Sequence, residues 1–121
     1  MWVSSSNERG LDFVREFRRY HDLLDDKVTM TPRYFTWACT TCDDPIIEED
    51  CVCGGKYCAI DEDRLQYSGK DIIMENLWQK CIWRDNNEIW WDYMERAHLA
   101  CYTDFTEDCS LAVHRDLKID W

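Results

Sequence analysis

The chain of 121 residues has the length of one small domain, and its composition is 45% apolar, 32% charged and 14% aromatic. This is too apolar and too aromatic for a disordered segment, and 4 glycines and 2 prolines are too few for a collagen-like or low-complexity chain. The 14 basic and 25 acidic side chains give a net charge of −11, which repels nucleic acid and anionic membranes. We therefore expect one packed core and neither nucleic acid nor a membrane as a partner.

Neither a membrane anchor nor a secretory signal is recognisable in the sequence. The longest run without a charge, residues 34–42, is far shorter than the roughly 20 apolar residues that span a bilayer. Residues 1–10 lack the basic start and the apolar stretch of a signal peptide. The sequence therefore predicts no direct membrane insertion, and it belongs either to a cytosolic protein or to an excised piece.

The first helix is predicted over residues 7–24, after a short apolar start at residues 1–4 that is consistent with a strand. Ser5 and Glu8 have the spacing of a capping box at its beginning. Apolar side chains recur at helical spacing and predict one buried face, formed by Phe13, Val14, Phe17, Tyr20, His21 and Leu24.

Two further strand segments follow this helix, at residues 28–31 and 34–38. Both are rich in β-branched and aromatic residues, and Pro32 interrupts the run between them. Strands joined by a crossover helix of this length lie parallel, with a right-handed connection. Residues 1–38 therefore predict a β-α-β unit.

The rest of the chain divides into a cysteine-rich part and a helical part. Residues 39–67 have little periodicity and predict an irregular loop tied by cysteines. Ser68 and Asp71 have the spacing of a capping box and begin a helix that runs to about Trp83. A third helix follows the turn at residues 85–87, and a short fourth one covers Cys109 to Val113. We expect a single domain over residues 1–121, in which residues 68–121 form a helical insertion.

The eight cysteines point either to disulfides in an oxidising compartment or to zinc in the cytosol. Zinc sites favour about two to four residues between paired ligands, whereas only one residue separates Cys51 from Cys53. Spacing therefore favours disulfides, with reduced core cysteines as a third alternative, and the connectivity stays open. The cysteines predicted to be disulfide-bonded are Cys39, Cys42, Cys51, Cys53, Cys58, Cys81, Cys101 and Cys109.

Thiol-disulfide catalysis requires an activated thiolate at the amino end of the helix that follows the first strand. Residues 4–7 read Ser-Ser-Ser-Asn at this position, and Cys39 and Cys42 instead follow the predicted second strand. The three histidines have no partner pattern of a catalytic triad. No catalytic residue, cofactor or metal ligand is therefore predicted, and we expect no enzyme activity.

An aromatic cluster is the candidate binding surface, although tryptophans at this density more often form a core against which disulfides pack. The acidic excess is typical of a solvated face and could guide a basic peptide. The candidate surface residues are Trp78, Trp90, Trp91, Asp92 and Tyr93.

Several separate blocks in order resemble the luminal region of vacuolar sorting receptors. They are residues 11–17 (LDFVREF), 31–37 (TPRYFTW), 55–59 (GKYCA), 69–71 (GKD) with 75–81 (ENLWQKC), and 90–93 (WWDY). The resemblance implies a thioredoxin-like domain with a helical, disulfide-rich insertion. In that family it lies between a protease-associated domain and repeats like those of epidermal growth factor.

This resemblance implies a non-catalytic module of a type I membrane receptor that recognises sorting signals on soluble proteins. Its expected partner is a protein or peptide ligand, the sorting-signal cargo, or a neighbouring domain of the same polypeptide. The expected location is the secretory or endomembrane lumen or the extracellular surface. Carboxylates and His98 are the groups expected to respond to acidification.

Cys53 and Trp78 depart from the family pattern, which has a small or polar residue and an arginine at these positions. The sequence also ends at Trp121, before the later strands of a thioredoxin-like fold. We therefore expect an α/β fold that is incomplete at its carboxyl end, in a fragment or a divergent relative. The alternative function is an extracellular structural or adhesion module, in which Cys53 could cross-link chains.

Overall fold

The computed structural model describes residues 1–61, 67–103 and 106–120, and these contain five α-helices and four short strands. In chain order they are β1 (Trp2–Val3), α1 (Glu8–Leu24), β2 (Arg33–Tyr34), α2 (Asp44–Asp50), β3 (Cys51–Val52), β4 (Tyr57–Cys58), α3 (Gly69–Asp85), α4 (Asn87–Cys101) and α5 (Glu107–Asp116). A single 3₁₀ turn at Asp25–Lys27 follows α1.

The first two strands pair in parallel across the crossover helix α1. Trp2 lies opposite Arg33, and Val3 lies opposite Tyr34. This is the arrangement that a β-α-β unit requires, because two strands joined by one helix run in the same direction.

The strand predicted at residues 28–31 is not formed, and pairing with β1 begins only after Pro32. Proline has no N–H group for a ladder hydrogen bond. The N–H of Arg33 instead donates to the carbonyl of Met1 at 2.7 Å and starts the ladder. The strand predicted over residues 34–38 is likewise reduced to the two residues of β2.

Helix α1 begins one residue later than predicted, and Asn7 caps it rather than Ser5. The side-chain oxygen of Asn7 accepts a hydrogen bond from the N–H of Gly10 at 2.7 Å. A short side chain with an oxygen acceptor is the usual way to satisfy a free N–H in the first turn. The capping box predicted at Ser5 and Glu8 is therefore wrong.

The buried face predicted for α1 is only partly correct. Val14 is buried and Phe17 packs against the core, whereas Phe13 and Tyr20 are about half exposed. Leu11, which the prediction left out, is buried instead. The reason is that α1 packs mainly on α4, so only a narrow stripe of its surface is covered.

Residues 39–67 are more regular than the predicted irregular loop, in the part that the structure describes. Helix α2 starts with Pro45 in its first turn, where a missing N–H costs nothing. Strands β3 and β4 form an antiparallel hairpin with Cys51 opposite Cys58. Its turn needs the positive φ angles of Gly54 and Gly55, and a Cβ on Gly55 would lie 2.8 Å from the carbonyl oxygen of Cys39.

The three predicted carboxyl-terminal helices are present, and each begins with a side-chain cap. Ser68 and Asp71 form the predicted capping box of α3. The side chain of Asn86 accepts from two N–H groups at the start of α4, and Thr106 caps α5.

The main core lies where α4 meets α1, α3 and α5. Val3 and Val14 of the β-α-β unit share this core with Ile82 of α3, Trp90 of α4 and Val113 of α5. The helical part therefore does not pack as a separate body, but completes the core that α1 and β1 begin. A second, smaller cluster of Ala59, Ile72 and Ile73 joins the hairpin to α3. Within the described residues, no helix has the length and apolar character needed to span a bilayer.

Candidate functional site

The loop between β1 and α1 holds buried serines rather than reactive groups. The N–H of Ser5 donates to Oδ1 of Asn76 at 3.1 Å, and its hydroxyl donates to the carbonyl of Ile72 at 3.3 Å. The hydroxyl of Ser6 donates to the carbonyl of Ile60 at 3.2 Å. Both serines are therefore used to fasten this loop to α3 and to the segment after β4.

A surface groove, here called the apolar groove, lies beside this loop and has a volume of about 520 Å³. Strands β1 and β2, the β3–β4 hairpin and helix α3 form its walls, and most of its lining is apolar. The side chains of Trp2, Tyr57 and Leu77 on its walls are exposed. Arg33 and Lys80 are cations of the same lining.

The apolar groove was missed by the sequence predictions, because its lining comes from segments far apart in the chain. The sequence blocks that carry the family resemblance nevertheless pointed to this part of the molecule. Three of the blocks that carry the family resemblance, residues 31–37, 55–59 and 75–81, contribute to its walls.

The structure pairs six of the eight cysteines in disulfides and leaves Cys53 and Cys81, which the sequence also predicted to be bonded, as free thiols. Cys53 is exposed in the hairpin turn with a φ of 54°, and Cys81 lies in α3, so the two free thiols belong to separate elements. The disulfides are Cys39–Cys42, Cys51–Cys58 and Cys101–Cys109.

The aromatic cluster predicted as a binding surface is mostly core. Trp90, Trp91 and Tyr93 are buried. The ring of Trp90 packs edge to face on Trp83 and on Trp91, with centroid distances of 5.1 and 4.9 Å. Its indole N–H donates to the hydroxyl of Tyr34 at 3.2 Å. These three side chains therefore hold the helices together and do not form a surface.

The other two predicted surface residues lie in different environments. Asp92 forms an ion pair of 2.6 Å with Arg18 and links α4 to α1. Trp78 is half-buried on α3, and its ring centroid lies 5.1 Å from that of His114 on α5. The structure thus does not bring the five predicted residues together as one surface.

A buried carboxyl group, Glu75, joins three helices. Its oxygens accept hydrogen bonds from Gln79 at 2.9 Å, from the hydroxyl of Tyr93 at 2.8 Å and from the hydroxyl of Ser110 at 2.7 Å. Burial raises the pKa of Glu75, and the three hydrogen bonds partly oppose this rise. Burial lowers the pKa of the neighbouring His114.

Replacing Glu75 with glutamine (E75Q) is expected to change the pH dependence of stability. Because the folded-state pKa of Glu75 is raised above its ordinary value of 4.5, its contribution to stability is greatest below that pH and is lost as the pH rises through the folded-state pKa. Glutamine does not titrate, and its amide can still accept from Tyr93 and donate to Ser110. Urea unfolding from about pH 4 to 8 should therefore show the original chain losing stability relative to E75Q as the pH rises.

His114 also contributes to the pH dependence of stability in this experiment. Since its pKa is lowered, His114 contributes stability that is lost as the pH falls below its ordinary value of 6.5, the opposite sign to Glu75. This contribution is present in both proteins and cancels in the difference between them. A difference that does not vary with pH contradicts the role assigned to Glu75.

His98, the histidine predicted to respond to acidification, lies on α4 and not in the apolar groove. Its Nδ1 atom is 3.9 Å from an oxygen of Asp12 on α1, and its ring packs edge to face on Tyr102. His21 packs on Trp91. These positions place His98 and His21 at the contact of α4 with its neighbours.

Comparisons with known proteins agree with the resemblance. The family model of the vacuolar sorting receptor thioredoxin-like domain matches residues 1–121. Vacuolar-sorting receptor 7 of Arabidopsis thaliana is 33% identical over 98% of this chain and 22% of its own length. Vacuolar-sorting receptor 4 of Arabidopsis thaliana is 29% identical over 99% of this chain and 22% of its own. For vacuolar-sorting receptor 1 of Pisum sativum the corresponding values are 27%, 99% and 23%.

The chain spans about a fifth of the length of these curated relatives. All three relatives are named as receptors, and the matches confirm the family expected from the sequence blocks. Because the family model matches from the first residue to the last, the chain belongs to the vacuolar sorting receptor thioredoxin-like domain family.

Proposed function

We propose that this chain is a non-catalytic recognition module of a vacuolar sorting receptor, and that its apolar groove binds an extended segment of a protein ligand. The observation that carries the proposal is the apolar groove itself, which presents exposed Trp2, Tyr57 and Leu77 in one concave surface. Exposed apolar side chains grouped in a concavity are typical of a site that binds a peptide or protein segment.

The loop at residues 4–7 supports the non-catalytic part of the proposal. A thioredoxin-like enzyme has its reactive thiols here, at the amino end of the first helix. In this chain the position holds Ser5 and Ser6, whose hydroxyls donate to backbone carbonyls. This position therefore offers no thiol for thiol-disulfide exchange, and the fold serves to bind a ligand.

Three disulfides support a location in an oxidising compartment, the endomembrane lumen or the extracellular surface. The named relatives are sorting receptors, which favours cargo recognition over the structural or adhesion alternative. Occupants of the apolar groove are then sorting-signal segments of cargo proteins, or a neighbouring domain of the same polypeptide.

A pair of leucine variants tests the proposal. Leu77→Asp places a charge in the apolar groove, whereas Leu99→Asp adds the same charge at an exposed position of α4 outside it. Immobilised peptides that carry vacuolar sorting signals should retain the original chain and L99D at neutral pH. We expect L77D to lose at least about tenfold in affinity, because a desolvated carboxylate replaces an apolar contact.

Acidification gives a second readout in the same assay, since release of the peptides at lower pH is expected of a sorting receptor. If the complete receptor ectodomain retains none of these peptides, the proposed function is wrong. If L77D binds as tightly as L99D, the assignment of the apolar groove is wrong.

A further inference from the structure

The charge of the apolar groove is opposite to that of the chain as a whole. The chain has 25 acidic residues and a net charge of −11, yet none of the acidic residues that the structure describes lines the apolar groove. Its two charged lining residues are Arg33 and Lys80, from β2 and α3. Neither of them forms an ion pair with a described acidic residue.

Asn76 adds a hydrogen-bond donor to this lining. The residue is only 3% exposed, and its Oδ1 accepts from the N–H of Ser5 at 3.1 Å. This bond identifies the remaining polar atom as the amide nitrogen, Nδ2. Among the described residues, Nδ2 of Asn76 has no hydrogen-bond acceptor. A buried donor without an acceptor typically costs about 1–3 kcal/mol, so an incoming acceptor would be favoured at this point.

We propose that the apolar groove binds an extended peptide segment in which an acidic side chain is flanked by apolar ones. The peptide carboxylate pairs with Arg33 and Lys80. Nδ2 of Asn76 has almost no accessible surface, so it donates to the carboxylate only after the side chains that cover it move aside. The flanking apolar side chains contact the exposed Trp2 and Leu77. This inference rests on the proposed function and names the ligand chemistry of the same site.

The geometry favours an acidic side chain over the carboxyl terminus of a peptide. Asn76 lies below the surface, and side chains of an extended segment project away from its backbone towards the wall that they face. An aspartate or glutamate can therefore reach inward while its backbone stays at the mouth of the groove. The chain's acidic remainder at the same time repels a peptide that carries several negative charges, which limits the ligand to a single acidic side chain within an apolar segment.

The test uses four fluorescein-labelled heptapeptides and fluorescence polarisation on the whole chain. The first peptide has the centre Leu-Asp-Leu with both ends blocked, and the second has Leu-Asn-Leu. The third has Leu-Lys-Leu, and the fourth has Leu-Asn-Leu with a free carboxyl terminus. We expect the aspartate peptide to bind about tenfold more tightly than its asparagine counterpart, because hydrogen bonds and ion pairs to a charged acceptor are the stronger ones.

Three variants attribute this preference to the named residues. Arg33→Gln and Lys80→Gln should each reduce the preference for aspartate over asparagine severalfold, while Arg9→Gln, which removes the same charge outside the apolar groove, should not. Asn76→Asp keeps an acceptor for the N–H of Ser5 but loses the donor, and should abolish the preference. The two exposed cation variants keep the test decisive even where N76D fails to fold.

The outcomes separate the two proposals. Equal binding of the aspartate, asparagine and lysine peptides overturns the proposed ligand chemistry but not the proposed function. If none of the four peptides binds, the ligand chemistry is again overturned, and the assay with cargo peptides then decides on the proposed function. Preference for the peptide with the free carboxyl terminus over the aspartate peptide overturns the choice of a side chain.

Discussion

Replacing Trp90 with alanine is expected to lower the free energy of unfolding by about 3–5 kcal/mol, the usual cost of deleting a large buried aromatic side chain. Trp90 is 0% exposed, and its ring contacts Trp83 and Trp91. The substitution also removes the donor to the hydroxyl of Tyr34. Because small domains are stable by about 5–15 kcal/mol, the variant should unfold at a much lower urea concentration, measured by circular dichroism.

Leu99→Ala is the matched control for this variant, since Leu99 lies on the same helix but is 67% exposed. Its effect should stay within about 0.5 kcal/mol. The comparison distinguishes a core role of the aromatic cluster from the binding role that the sequence suggested. If W90A unfolds at the same urea concentration as L99A, the aromatic cluster does not form the core described here.

Removing the Cys51–Cys58 disulfide by Cys51→Ala together with Cys58→Ala is expected to cost about 2–4 kcal/mol. The bridge closes the β3–β4 hairpin, and both of its cysteines are buried. The backbone of Cys58 also exchanges hydrogen bonds of 2.8 and 3.1 Å with Trp37, so the hairpin is joined to the segment that follows β2. Thermal unfolding of secreted protein measures the loss.

Cys53→Ser serves as the control, because Cys53 lies in the turn of the same hairpin but is exposed and free. Its melting temperature should remain close to that of the original chain. The double variant should in addition bind peptides more weakly, since Val52 and Tyr57 of the hairpin belong to a wall of the apolar groove. Equal stability of the double variant and C53S would argue against a structural bridge at this position.

The helices were predictable from the sequence because their signals are local. Ser68 with Asp71 forms the capping box that their spacing predicts, whereas Asn86, which was predicted to lie in a turn, caps the following helix. Apolar periodicity located the bodies of α3, α4 and α5. The exception is Ser5, whose hydroxyl is drawn into a bond with Ile72 by the packing of α3, a partner that lies 67 positions away.

The β3–β4 hairpin could not be predicted, because two-residue strands are too short to show alternation. Its turn also places Cys53 at a positive φ, and a cysteine in the sequence gives no indication of this conformation. The connectivity of the disulfides could not be predicted either, because cysteine spacing does not reveal which residues face each other.

The burial of the aromatic side chains of α4 could not be predicted for a different reason. Trp91 packs on His21 of α1, while Tyr93 packs on His114 of α5 and donates to Glu75 of α3. A helix that is covered on several sides is apolar around most of its circumference, and its sequence does not distinguish this from an exposed aromatic surface. The structure decides in favour of the core.

The apolar groove could not be predicted, because Trp2, Arg33, Tyr57 and Lys80 meet only once the β-α-β unit, the hairpin and α3 have packed together. In sequence, Arg33 and Lys80 are two cations within a strongly acidic chain. Their grouping in a wall without described carboxylates is visible only in three dimensions, and it favours a ligand of opposite charge.

The proposed recognition groove depends on a scaffold that three disulfides hold together. Mass-spectrometric mapping of secreted protein, purified without reductant and alkylated in denaturant, tests this most directly. We expect alkylation of Cys53 and Cys81 alone, and disulfide-linked fragments for Cys39–Cys42, Cys51–Cys58 and Cys101–Cys109. Alkylation of all eight cysteines would contradict a scaffold held together by disulfides.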